Sequence, residues 1–182
     1  MICDDEVCPR EREAPAPAPG PVRCSETVVR FVLLQAQLIR DAEGQPVLTA
    51  AAFPRDELRG IRGKSVSVLR EEHTAALETG RRAQAMNREQ KWSSDPVLAR
   101  GLVISLRSIR DMEGRREVCV NADPTTDEND KLGACPSHAS ILRADPPLDV
   151  RQRLEWQMLR VKLAEQFTEI RHQSGTKVDL AI

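Results

Sequence analysis

The side chains best suited to chemistry in this chain are His138, the serines Ser65 and Ser67, and the arginines Arg30 and Arg70. An imidazole changes charge at a reference pKa of about 6.5, so a histidine beside a serine and a cation can move a proton during group transfer. Ser65, Ser67 and Arg70 fall within Lys64 to Arg70 (KSVSVLR), which alternates as a strand does, and His138 opens a second short run, His138 to Leu142 (HASIL). Were these strands neighbours, the five residues would form a small acid–base site, as in a toxin-like transferase or nuclease acting on nucleotide or RNA. The plainer reading is that His138 satisfies backbone groups where an acidic loop enters a strand, with His73 in the first turn of a helix.

A second group is the basic loop Arg59 to Ser65 (RGIRGKS), in which Arg59, Arg62 and Lys64 could face a phosphate. A strand rather than a helix follows it, unlike the phosphate-binding loop of nucleotide hydrolases. Nucleic-acid binding there would rest on phosphate contacts without aromatic stacking. The acidic loop Asp123 to Asp130 carries hard oxygen donors but neither the spacing nor the glycine of a calcium loop. Cys3, Cys8 and Cys24 lack a fourth ligand and the usual zinc spacing, so no metal and no cofactor is expected. Dinucleotide, nucleoside triphosphate, zinc-protease and serine-hydrolase signatures are all absent.

A formal net charge of −1 gives no global field toward nucleic acid or acidic membranes. Basic residues outnumber acidic ones from Phe53 to Arg116, and the balance reverses from Glu117 to Asp149. There is no apolar run of about 18 residues, and the acidic start MICDDE is unlike a secretory leader, so the expectation is a cytoplasmic protein with no membrane contact. An odd cysteine count, five, argues against a secreted disulfide framework.

The elements that must hold these residues follow from patterning. A chain of 182 residues with 3% aromatics is expected to build one core from Leu, Val, Ile and Ala. Residues 1–25 read as a disordered proline-rich segment, 26–172 as a single α+β domain, and 173–182 as a flexible tail in which Val178, Leu180 and Ile182 alternate. The domain is expected to be a mostly antiparallel sheet of five or six short strands, covered by a middle helix and a long C-terminal helix. Strands are read from Thr27 toward Ile39, from Pro46 to Phe53 after a turn at Asp41 to Gly44, and at Lys64 to Arg70. Others are read at Gly101 to Leu106, Glu117 to Asn121 and His138 to Leu142, with a helix starting at Glu71 and weakened at Gly80. No internal repeat is evident.

The most regular stretch is Asp149 to Arg171, read as one helix with two apolar stripes. Trp156, Leu159, Leu163, Phe167 and Ile170 suit a sheet, whereas Val150, Leu154, Met158 and Val161 would meet either the helix after Glu71 or a second subunit. The latter four are the candidate partner-binding residues.

Arg30 in the first strand, Phe53-Pro54 closing a hairpin, the strand Lys64 to Arg70 and the strand Pro136 to Ile141 (PSHASI) before a final helix together resemble a set of small bacterial proteins. The resemblance covers most of Thr27 to Ile170, implies a bacterial origin and a single domain, and brings no assigned activity. The function expected first is a soluble protein-interaction module, acting as a homodimer or on a protein partner. A small enzyme and a weak nucleic-acid binder are the alternatives.

Overall fold

A computed structural model describes residue 8 and residues 14–33, 37–59, 65–90, 96–126, 133–144 and 153–172. Six strands, β1 (Thr27–Val32), β4 (Val66–Arg70), β5 (Val97–Leu102), β6 (Val118–Ala122), β7 (His138–Arg143) and β8 (Phe167–Arg171), form an open sheet in the order β6-β7-β4-β1-β5-β8. Every neighbouring pair is antiparallel. A separate hairpin joins β2 (Leu38–Arg40) to β3 (Pro46–Leu48). The helices are α1 (Arg55–Leu58), α2 (Ala76–Gln90), α3 (Val103–Arg107) and α4 (Arg153–Glu165), with 3-10 turns at Ala50–Ala52 and Glu71–His73. The expected α+β class and mostly antiparallel sheet are what the chain adopts.

Alternation along TVVRFV sends Val28, Arg30 and Val32 to one side of the sheet, and α4 covers that side with Trp156, Leu159 and Leu163. Leu58, Leu106, Ile141 and Phe53 complete the core, each fully buried. Burial of one such side chain contributes about 1.5–3 kcal/mol, which is why α4 is anchored along its length. Arg143 lies over the Trp156 ring at 4.9 Å, adding a cation–π contact at the helix start.

Several elements differ from the sequence expectation, and the run expected as a strand from Pro46 to Phe53 is β3 only to Leu48, followed by the 3-10 turn at Ala50–Ala52. The C-terminal helix stops at Glu165, and Phe167–Arg171 is a strand on β5 rather than two further helical turns. Phe167 and Ile170 both reach the core although they lie three apart on a strand, because the register shifts between Arg100 and Gly101: Glu169 faces Arg100 and Phe167 faces Gly101, so Thr168 is an extra residue that resets the alternation. The β5 residue opposite Phe167 is Gly101, whose missing Cβ leaves room for the ring: an added Cβ would come 3.2 Å from Phe167 and 3.0 Å from the Gln166 carbonyl. The expected strand from Gly101 to Leu106 is instead the end of β5 followed by α3, with Val103 and Leu106 buried at helical spacing. Helix α2 runs unbroken through Gly80.

The chain does carry an internal repeat, contrary to the sequence expectation. Ile39-Arg40-Asp41-Ala42-Glu43-Gly44 returns as Ile109-Arg110-Asp111-Met112-Glu113-Gly114, and Ser67-Val68-Leu69-Arg70 returns as Ser140-Ile141-Leu142-Arg143. The first pair forms the same turn twice. Asp41 Oδ1 accepts from the backbone of Glu43 and Gln45, Asp111 Oδ1 accepts from that of Glu113 and Arg115, and Gly44 and Gly114 both have φ 78°. The second pair lies on β4 and β7, which are hydrogen-bonded to each other with Ser67 opposite Ser140. A helix follows each copy, α2 after the first and α4 after the second.

Cys8 and Cys119 form a disulfide with Cα atoms 5.8 Å apart, tying residue 8 to the edge strand β6, and Cys24 is also disulfide-bonded. This departs from the expectation drawn from the odd cysteine count; among the described residues Cys135 is a free, buried thiol. Replacing both Cys8 and Cys119 with alanine should lower unfolding free energy by about 2–4 kcal/mol, read by urea denaturation without reductant. A change within about 0.5 kcal/mol would mean the bond contributes nothing to the fold.

Candidate functional site

The proposed acid–base residues divide between the two faces of the sheet. Ser65 and Ser67 precede and interrupt the buried valines of β4, so they project away from the α4-covered core. β7 brings His138 and Ser140 to the same outer face, since Ser67 pairs with Ser140 and Leu69 with His138. The His138 Nε2 atom is 3.0 Å from Ser67 Oγ, and Nδ1 is 2.5 Å from the Asp123 carbonyl oxygen. A carbonyl can only accept, so Nδ1 carries the proton and Nε2 presents its lone pair to the Ser67 hydroxyl.

Asp123 is itself held from several sides. Its N–H donates to the His138 carbonyl at 3.1 Å, its carboxylate accepts from Ser140 Oγ, and Ser140 Oγ lies 2.6 Å from Ser65 Oγ. The same carboxylate is 3.9 Å from His138 Nδ1. Ser67 is exposed, whereas the His138 side chain is only 12% exposed. The arrangement is a hydroxyl facing solvent, a histidine of fixed tautomer behind it, and a carboxylate near the far ring nitrogen.

Arg30 and Arg70 do not join this group. Arg30 points into the core face, where Nε donates to the Ala52 carbonyl at 2.8 Å, NH1 to the Ser67 carbonyl at 3.0 Å, and NH2 meets Glu57 at 3.3 Å. Its guanidinium lies 5.4 Å from the Phe53 ring centroid. Burial lowers its pKa from the ordinary value, and Glu57 opposes that shift. Arg70, 1% exposed, grips both carboxylate oxygens of Glu26 at 2.6 and 2.7 Å and donates to the carbonyls of Gly20 at 2.7 Å and Pro21 at 3.1 Å. Val22 is buried beside this anchor, so the segment expected to be disordered through residue 25 is docked on the sheet at its Gly20–Glu26 end.

Of the basic loop, Arg59 ends α1, and Arg62 and Lys64 lie outside the described residues. His73 closes the 3-10 turn before α2, 3.8 Å from Glu26. On the outer face, Arg100 of β5 joins Glu71 and Glu169, and Glu169 joins Arg171, a chain of ion pairs across β5 and β8. Such half-exposed pairs contribute little individually, but they cover the outer face with satisfied charge.

The partner-binding candidates have a different fate. Val150 lies outside the described residues. Leu154, Met158 and Val161 are 73%, 44% and 41% exposed on the outer side of α4, so α2 does not cover them. The flanks of that stripe are occupied internally: Arg160 donates to the carbonyls of Ala50 and Phe53, and Lys162 to the Arg110 carbonyl and Glu117.

The buried Arg70–Glu26 pair has a pH signature. Burial alone would raise the Glu26 pKa, but the hydrogen bonds from Arg70 and the Arg23 N–H hold it below its ordinary 4.5. A folded-state value below the unfolded one means the contribution is complete above the unfolded pKa and is lost as pH falls through the folded pKa. Thermal melts from about pH 7 to about pH 3 should show Glu26→Gln destabilised at neutral pH, with the gap to wild type closing in acid. A gap that stays constant with pH would contradict the pairing.

Comparison with protein-family models, with curated proteins and with solved structures finds no match to this chain, so the reading of function rests on its own residues.

Proposed function

We propose that this protein is an interaction module that associates with a second copy of itself through the outer stripe of α4. The observation that carries this is the exposure of Leu154, Met158 and Val161, at 73%, 44% and 41%, along one side of a helix whose other side is fully engaged. Residues four and three apart on a helix share a face, so these three side chains make a continuous apolar strip.

The internal repeat supplies a control. Aligning α2 with α4 through the preceding Ser-x-Leu-Arg strands sets Arg81, Ala85 and Arg88 against Leu154, Met158 and Val161, and Ala83 against Trp156. Ala83 and Trp156 are both buried, which supports the alignment, yet Arg81 and Arg88 are exposed and charged where Leu154 and Val161 are exposed and apolar. Helix packing therefore does not demand an apolar outer face. A two-fold contact is self-complementary, so one stripe serves both subunits, and Arg160 and Lys162 beside it already have internal partners.

Transferase or nuclease action on nucleotide or RNA draws less support, because Arg30 and Arg70 are spent on internal carbonyls and carboxylates. Among the described residues no helix is long and apolar enough to cross a membrane. The Cys8–Cys119 disulfide favours an oxidising compartment over the cytoplasm expected from the sequence.

Three side chains fall short of the roughly 800 Å² per partner that a stable interface buries, so the association should be weak and reversible. Sedimentation equilibrium over increasing protein concentration should show a monomer–dimer equilibrium that Leu154→Asp with Met158→Asp abolishes without changing circular dichroism or the melting temperature. A wild type that stays monomeric, or a dimer indifferent to the double substitution, would overturn the proposal.

A further inference from the structure

The repeat gives the serine–histidine pair a meaning that its geometry alone does not carry. Matching Ser67-Val-Leu-Arg70 with Ser140-Ile-Leu-Arg143 makes Ser67 equivalent to Ser140 and Ser65 equivalent to His138. On the paired strands the two equivalent contacts are both present: Ser65 Oγ with Ser140 Oγ at 2.6 Å, and His138 Nε2 with Ser67 Oγ at 3.0 Å. One half of the seam thus closes with two hydroxyls, Ser65 donating to Ser140 and Ser140 to the Asp123 carboxylate. The other half has an imidazole in that place, backed by the Asp123 carbonyl and aimed at an exposed hydroxyl. A structural seam needs only the first arrangement.

We infer that Ser67 is a nucleophile activated by His138, and that the pair acts on neutral carboxylic esters. Ser67 Oγ attacks the acyl carbon as its proton passes to His138 Nε2. The bond from the acyl carbon to the alcohol oxygen breaks, and the departing alkoxide takes that proton. Water then attacks the acyl-serine with His138 as base, releasing the acid and returning the proton to Ser67 Oγ. Asp123 is a positioning residue: its carbonyl fixes the tautomer and its carboxylate, 3.9 Å from Nδ1, favours the transient imidazolium. The choice of a neutral ester over a phosphate ester follows from charge. Among the described residues the ionised group beside the pair is the Asp123 carboxylate, while Arg30 reaches Ser67 only at its carbonyl, from the core side, and Arg70 is held by Glu26.

The full oxidised chain would be treated with a fluorophosphonate, which phosphonylates activated serines, and the adduct located by peptide mass spectrometry. The expected result is a single labelled site at Ser67, with a labelling rate that rises with pH through one ionisation. In His138→Gln the rate should fall about 100-fold or more and lose that pH dependence, with the melting temperature reported alongside. Hydrolysis of 4-nitrophenyl acetate should follow the same pattern. Because the wild-type labelling and its pH profile need no variant, the idea stands or falls even if His138→Gln misfolds. No adduct at Ser67, labelling spread over several serines, or a rate independent of pH would overturn it.

Discussion

A guanidinium occupies the place where the centre of the sheet opens. β1 and β4 pair at Val28 with Arg70 and at Val29 with Leu69, and beyond that the side chain of Arg30 takes over from the ladder by donating to the Ser67 carbonyl. The same group holds the 3-10 turn through the Ala52 carbonyl and α1 through Glu57, and it lies on Phe53, which in turn packs 5.3 Å from the Phe167 ring. A charge buried in a core face is tolerated only where its donors are matched by acceptors. Here the acceptors come from three separate segments, so satisfying Arg30 also fixes their relative positions. The backbone of Ser67 is one of them, which connects the core to the seam on the outer face.

The second arginine of the central strands works in the same way at the sheet's end. Arg70 takes up Glu26 and the carbonyls of Gly20 and Pro21, converting a proline-rich stretch with little apolar area of its own into a docked strap. Both arginines are thus organisers of backbone, and the activity and the interface proposed above draw on other groups. Those are the Ser67 hydroxyl with its histidine, and the outer stripe of α4. Each stands out most clearly by comparison with its counterpart in the other repeat: Ser65 where the second copy has His138, and Arg81 with Arg88 where it has Leu154 with Val161.

Strands β1, β4, β6 and β7 are legible in the sequence by alternation and β-branched content, and the hairpin at Asp41 to Gly44 by its glycine and aspartate, whereas β5 is read only at its last two residues and β8 is read as helix. The seam is legible in part: Ser65, Ser67 and His138 stand out by residue type, and β4–β7 pairing brings them together. Arg30 and Arg70 mislead because a sequence does not say which face of a strand a cation occupies, and in both cases that face is buried. The end of the long helix is hidden for a related reason. Phe167 and Ile170 satisfy helical spacing as extensions of the Trp156 stripe, and only pairing with β5 decides for a strand. The repeat is written in the letters Ile-Arg-Asp-x-Glu-Gly, and self-similarity at that motif is enough to reveal it.

The claim that most of this depends on is that Arg30 holds three segments together. Urea unfolding of Arg30→Met, which keeps length and apolar bulk but removes every donor, tests it directly. Leaving the buried Ala52 carbonyl and the part-buried Ser67 carbonyl without their donor should lower the unfolding free energy by about 3 kcal/mol, at roughly 1–3 kcal/mol for each unsatisfied group. A variant as stable as wild type within about 0.5 kcal/mol would contradict the account, since the segments would then be held by apolar packing alone.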